Sequence, residues 1–89
     1  MRRSQAMPLR ITKKLEGPDT ILQIDGRLHR ENNAELGRAC ESIEGHLTLE
    51  LSGLLSADTE GIRNLRQLES HGARFRGASP YIQLLLKNE

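Results

Sequence analysis

Four short stretches of this chain alternate along their length, and three others carry apolar residues at three- and four-residue spacing. No other feature narrows the fold as much. The first alternation sets Leu9, Ile11, Lys13 and Leu15 against Arg10, Thr12 and Lys14. The second sets Leu22, Ile24, Gly26 and Leu28 against Ile21, Gln23, Asp25 and Arg27. The third, His46–Ser52, has Leu47, Leu49 and Leu51 facing one way and Thr48, Glu50 and Ser52 the other. The fourth alternates Ala73 and Phe75 with Arg74 and Arg76. Period two marks strands with one buried face. A sheet covered by helices on both faces reads instead as continuous apolar runs. Here the second face carries Asp25, Glu50, Arg74 and Arg76. The helices therefore belong mainly on one side, and the other side should hold opposite-charge cross-strand pairs.

The punctuation between these stretches sets the topology. Glu16-Gly17-Pro18-Asp19 is turn chemistry, so the first two strands form an antiparallel hairpin. A helix follows, capped by Asn32 or Asn33, with Leu36, Ala39, Cys40 and Ile43 as its apolar stripe and Gly45 as its stop. A second helix carries Ile62, Leu65 and Leu68 and stops at Gly72. A third begins with Ser79 as cap and Pro80 at its first position, and turns Ile82, Leu85 and Leu86 inward. The order ββαβαβα implies parallel crossovers and an α/β fold: a mixed four-stranded sheet with helices mainly on one face.

At 89 residues the chain is expected to form one domain, residues 8–89, behind a flexible tail of residues 1–7. Folding at this size buries roughly 60–65% of the unfolded surface, enough for one modest core. With one Phe, one Tyr and no Trp, the chain lacks a base-stacking platform. Its net charge of +1 speaks against a dedicated nucleic-acid binder. Cys40 is the only cysteine, so no internal disulfide forms and a cytoplasmic setting is expected. The longest aliphatic run, Leu84–Leu86, falls far short of the ~20 residues a membrane-spanning helix needs, so no direct membrane insertion is expected.

The stretch Leu47–Gly61, LTLELSGLLSADTEG, carries the most chemistry. A strand runs into a short loop, and Asp58-Thr59-Glu60-Gly61 opens the second helix. A helix start exposes unpaired N–H groups and the positive end of the dipole, so a hydroxyl beside a carboxylate there suits a phosphate or a partner that reads one. The plainer reading makes Thr59 a helix cap and Asp58 a complement to the dipole. Leu54 and Leu55 fall in the loop, where the strand pattern has ended, and at least one should be exposed beside Thr59. His29, His46 and His71 lack metal-ligand spacing, so no metal is expected. No phosphate loop, nucleophile elbow or paired-carboxylate site appears, and neither an enzyme nor a cofactor is expected. Arg63, Arg66, Arg74 and Arg76 read as a solvated charged surface rather than a phosphate patch.

With that order in hand, the chain resembles a STAS domain, the fold of bacterial anti-sigma factor antagonists. The resemblance runs from about Leu9 to Leu86. It rests on Leu22-Gln23-Ile24-Asp25-Gly26-Arg27-Leu28 after the hairpin and on Leu47-Thr48-Leu49-Glu50-Leu51-Ser52-Gly53-Leu54 as the third strand. Asp58-Thr59-Glu60-Gly61 stands where the family has Asp-Ser-Ser/Thr-Gly, and Gly77-Ala78-Ser79-Pro80 precedes the third helix.

In phosphorylated members, the hydroxyl directly after that Asp is the target of a serine kinase that is itself the anti-sigma factor partner. The resemblance therefore implies a regulatory interaction module with Thr59 as the phospho-acceptor candidate. Leu54, Leu55, Asp58, Thr59, Glu60 and Arg63 would form the partner-binding surface. Two departures stand out. Threonine replaces serine, and Glu60 puts a negative charge beside the acceptor, where it opposes a phosphate. The alternative is a non-phosphorylated STAS subunit docked on the ATPase of a lipid-transport ABC complex. A third reading, a small helix-turn-helix DNA binder using Arg63 and Arg66, is disfavoured by the alternating strands and the low charge.

Overall fold

The computed structural model describes residues 9–87, so the tail expected over residues 1–7 lies outside the described residues. Strands β1 (Arg10–Glu16) and β2 (Asp19–Leu28) form the expected antiparallel hairpin, with Arg10 opposite Asp25 and Glu16 opposite Asp19. A 3₁₀ turn at Arg30–Asn32 leads into helix α1 (Asn33–Glu41). Then come β3 (His46–Glu50), β4 (Leu54–Ala57), α2 (Thr59–Ser70), β5 (Arg74–Arg76) and α3 (Pro80–Lys87). Gly72, expected as a helix stop, directly follows the C-cap of α2 with φ 107°, a conformation that costs glycine least. α1 ends earlier than expected, at Glu41, so Ile43 lies outside it and Gly45 (φ 90°) turns the chain towards β3 instead of stopping the helix.

The sheet has five strands, not the four expected. Its order is β1-β2-β3-β5, with β4 added on β2. Residues Asp19–Gln23 of β2 pair in parallel with β3, and Gly26–Leu28 pair in parallel with β4. β3 and β4 are thus successive pieces of one line beside β2, broken at residues 51–53. The break has visible causes. The Leu51 N–H donates across to the Arg76 carbonyl (2.8 Å), and the Leu54 N–H closes a turn on the Leu51 carbonyl (3.1 Å). Gly53 passes so close to β2 that a Cβ there would overlap the Asp25 carboxylate. The Gly26 N–H donates to the Gly53 carbonyl (2.9 Å) and carries the pairing across the gap. The segment expected as a loop is therefore β4. Its residues, Leu54-Leu55-Ser56-Ala57, set two leucines side by side and show no alternation to mark a strand.

The core lies on one side of the sheet, as the alternation requires. Leu22, Ile24, Leu28, Leu49 and Leu51 of the sheet layer meet Leu36 of α1, Ile62 and Leu65 of α2, and Ile82 of α3. The opposite face is polar. Gln23, Glu50 and Arg76 stand in one cross-strand row. Arg76 Nε donates to Glu50 Oε1 at 2.5 Å, and Arg76 Nη1 lies 3.7 Å from Glu16. The Arg76 bond holds the Glu50 carboxyl below the usual carboxylate range. Ile21 is the exception on this face, only 2% exposed. It stands in register between Lys14 and Thr48, whose aliphatic parts flank it.

Candidate functional site

The site is built where β2 and β4 end in parallel and α2 begins. Asp58 is the N-cap of α2: its Oδ1 accepts from the Gly61 N–H at 2.8 Å. Its Oδ2 accepts from the Arg30 N–H at 2.9 Å. One carboxylate thereby closes the helix start and pins the connection between β2 and α1. The Asp58 N–H in turn donates to the Leu28 carbonyl at 3.1 Å. Partial burial pushes the Asp58 carboxyl up, but the N–H groups of Gly61 and Arg30 and the charges of His29 and Arg30 outweigh it. Its pKa lies below the usual carboxylate value.

Thr59 is the first residue of α2 and is exposed. The plainer expectation gave the cap to Thr59; the cap is Asp58, and the threonine hydroxyl is not used to close the helix. Gly61 explains why the helix can start here. A Cβ on it would stand 2.5 Å from the Leu28 carbonyl oxygen and 3.3 Å from the Ala57 Cβ. Only glycine lets the first turn of α2 sit this close to the end of β2.

The expected partner-binding residues divide. Leu54 is buried, 3% exposed, because β4 turns it into the core. Its neighbour Leu55 points out at 51% exposed, so the expectation that at least one of the pair is exposed holds for Leu55 alone. Glu60 and Arg63 are both exposed and lie 3.4 Å apart one helical turn from each other. The charge of Glu60 beside Thr59 is therefore partly offset by Arg63.

Asp58, Thr59 and Arg63 line an open cleft of ≈ 540 Å³ together with Ala57, Ile62, Arg66 and Leu85. Arg66 has a second task that its sequence position does not betray. Its Nε donates to the Leu86 carbonyl at 3.0 Å and its Nη2 to the Leu85 carbonyl at 3.2 Å. It closes the C-terminal end of α3, where unpaired carbonyls and the negative end of the dipole favour a cation. Arg30 and Gly61 were equally hidden at the sequence level. Arg30 acts through its main chain, which has no side-chain signature, and Gly61 was legible only as part of a motif. His29, in the same connection, places Nε2 3.4 Å from Ser56 Oγ. Among the described residues no three His, Cys, Asp or Glu side chains are grouped to hold a metal ion. No helix among them is long and apolar enough to cross a membrane. Burial pushes the Cys40 thiol pKa up, away from nucleophilic thiolate character.

No family model matches the chain. No curated protein matches it. Among solved structures, it is similar to an anti-sigma factor antagonist STAS domain from Rhodobacter sphaeroides, with a TM-score of 0.56 and 19% identity. The superposition covers 86% of this chain and 97% of that one. Agreement over nearly the whole of both chains at so low an identity is agreement of fold. The chain has a STAS-like fold.

Proposed function

We propose that this chain is a regulatory protein-interaction module of the anti-sigma factor antagonist kind, docking a protein partner through Leu55, Thr59, Glu60 and Arg63 and switched by phosphorylation of Thr59. The observation that carries this reading is the division of labour between Asp58 and Thr59. Asp58 supplies the cap and grips Arg30 with its second oxygen, so the adjacent threonine is exposed and is not needed to close the helix. A phosphate there would meet the positive end of the α2 dipole and the Arg63 guanidinium, while Asp58 and Glu60 oppose it. The fold would thus tolerate the modification, and the added charge would act on the partner. Leu55 supplies an exposed apolar side chain four positions before the acceptor.

The test is intact-mass analysis of the protein from its native host, with and without a neighbouring serine kinase. A mass increase of one phosphate that maps to Thr59 and disappears in Thr59→Val supports the reading. An unmodified Thr59 in every condition, with Thr59→Glu binding its partner as wild type does, sinks it. The permanent-subunit reading, a STAS module fixed on a transporter ATPase, then takes its place.

A further inference from the structure

β1 is the one long edge of the sheet, and the proposed site makes no use of it. Among the described residues β1 pairs on one side only, with β2, and six of its seven residues are exposed. Leu15, 74% exposed, is the most exposed large apolar side chain among the described residues. Lysines usually keep such an edge solitary, and Lys13 and Lys14 stand here. The order of its residues, however, is self-complementary. Set β1 antiparallel to a second copy with Lys13 opposite Lys13. Arg10 then faces Glu16, Ile11 faces Leu15 and Thr12 faces Lys14, each pair occurring twice. Residues directly opposite in an antiparallel ladder share a face. The two Arg10–Glu16 pairs would lie on the open polar face, and the two Ile11–Leu15 pairs on the helix face.

Neighbouring registers lose this match. Centred on Thr12, the pairing sets Arg10 against Lys14 and Ile11 against Lys13. Centred on Lys14, it sets Leu15 against Lys13 and one Lys14 against the other. Intermediate shifts exchange the two faces of the strand. The central Lys13 pair is the one like-charge pair directly opposite in the favoured register. The Lys14 side chains are diagonal to one another and to Arg10 of the other copy, and the long stems let the ammonium groups reach past the edge into water. Glu16 already lies 3.7 Å from Arg76, and a carboxylate accepts from two directions.

We propose that the chain forms a two-fold homodimer by antiparallel pairing of β1 with β1 of a second copy, joining the two sheets edge to edge. One seven-residue strand from each copy makes a small interface, well below that of permanent dimers. The dimer is therefore weak and concentration-dependent.

Sedimentation velocity from about 10 µM to about 1 mM, the range in which a weak pair shows itself, tests this. Wild type should move towards twice the monomer mass as concentration rises. Arg10→Glu and Glu16→Arg should each stay monomeric alone, because each places like charges opposite one another. An equimolar mixture of the two restores both opposite-charge pairs and should dimerise. Leu15→Lys should abolish association with no change in the unfolding midpoint, since the side chain is exposed; this variant carries the test if a charge variant fails to fold. Wild type that remains monomeric at the highest concentration overturns the proposal. So does a wild-type dimer that survives Leu15→Lys unchanged, or variants that stay monomeric when mixed.

Discussion

Asp58 Oδ2 accepts a hydrogen bond from the main-chain N–H of Arg30 at 2.9 Å, across 28 positions of sequence. The same carboxylate caps α2 through the Gly61 N–H. Removing it orphans two donors at once. Asp58→Ala should therefore lower stability by about 1–2 kcal/mol, at the upper end of the range for a lost cap. Urea titration at pH 7, with the slope of the transition unchanged, is the measurement.

The same pair predicts a pH dependence. The folded-state pKa of Asp58 is depressed, so its contribution is fully present above the unfolded carboxylate value of about 3.9. It fades as pH falls through the folded value, because the unfolded state then binds the proton more readily. The stability difference between wild type and Asp58→Asn should hold constant from neutral pH down to about pH 5 and shrink below about pH 4. A difference that grows on acidification would assign the wrong sign to this carboxylate.

Two glycines in helices should respond oppositely to alanine. At Gly61 a Cβ meets the Leu28 carbonyl oxygen at 2.5 Å, backbone that cannot step aside, so Gly61→Ala should destabilise by about 1–3 kcal/mol despite better helix propensity. At Gly37 of α1 nothing lies within 4 Å of the position a Cβ would take. Gly37→Ala should stabilise by about 0.5–1 kcal/mol. Thermal or urea unfolding of the two variants side by side reads both signs.

Adjacent leucines should separate folding from binding. Leu54→Ala empties a core position and should cost about 2–5 kcal/mol of stability. Leu55→Asp changes an exposed side chain and should move stability by less than about 0.5 kcal/mol, while weakening capture of the partner. Thr59→Glu should behave like Leu55→Asp in unfolding and weaken partner binding by about 1–3 kcal/mol. Titration calorimetry with the partner, alongside unfolding curves, distinguishes the three variants.

Arg66 ties the end of α3 to α2 through the carbonyls of Leu85 and Leu86. Arg66→Ala should fray the last turn of α3 and raise amide exchange there, with a global loss of about 1–2 kcal/mol. Arg66→Lys keeps the charge but loses the two-nitrogen geometry, and should recover only part of the protection.

What the sequence made legible follows from how each element announces itself. The alternation of Leu47, Leu49 and Leu51 placed the core face, and the turn residues placed the hairpin. Ser79 caps α3 as expected, accepting from the Ile82 N–H at 3.2 Å. β4 stayed hidden because its four residues are held by a line of pairing that β3 begins and the turn at Gly53 interrupts. Leu54 and Leu55 looked alike for the same reason: burial of one and exposure of the other depend on the register in which the line resumes along β2. The roles of Asp58 and Thr59 were exchanged at the cap because both residue types cap helices, and only the backbone angles at Asp58 decide between them. The grip of Asp58 on Arg30 and of Arg66 on α3 are contacts between distant segments made to main-chain atoms. Neither leaves a pattern in residue type.

The broken line of β3 and β4 along β2 also sets an order of events in time. β2 can meet β1 at once, because Glu16 and Asp19 stand three positions apart across a tight turn, and hairpins of this kind close in microseconds. Its other side must wait. Asp19 pairs with His46, a separation of 46 − 19 = 27 positions, and the intervening chain has to wind α1 before β3 can dock. β4 cannot dock until the chain has turned at Gly53. Non-local parallel pairing is the slow part of folding in such topologies. β2 is thus the first strand to find a partner and the last to be completed, and until β4 arrives the carboxylate of Asp58 has no Arg30 amide within reach.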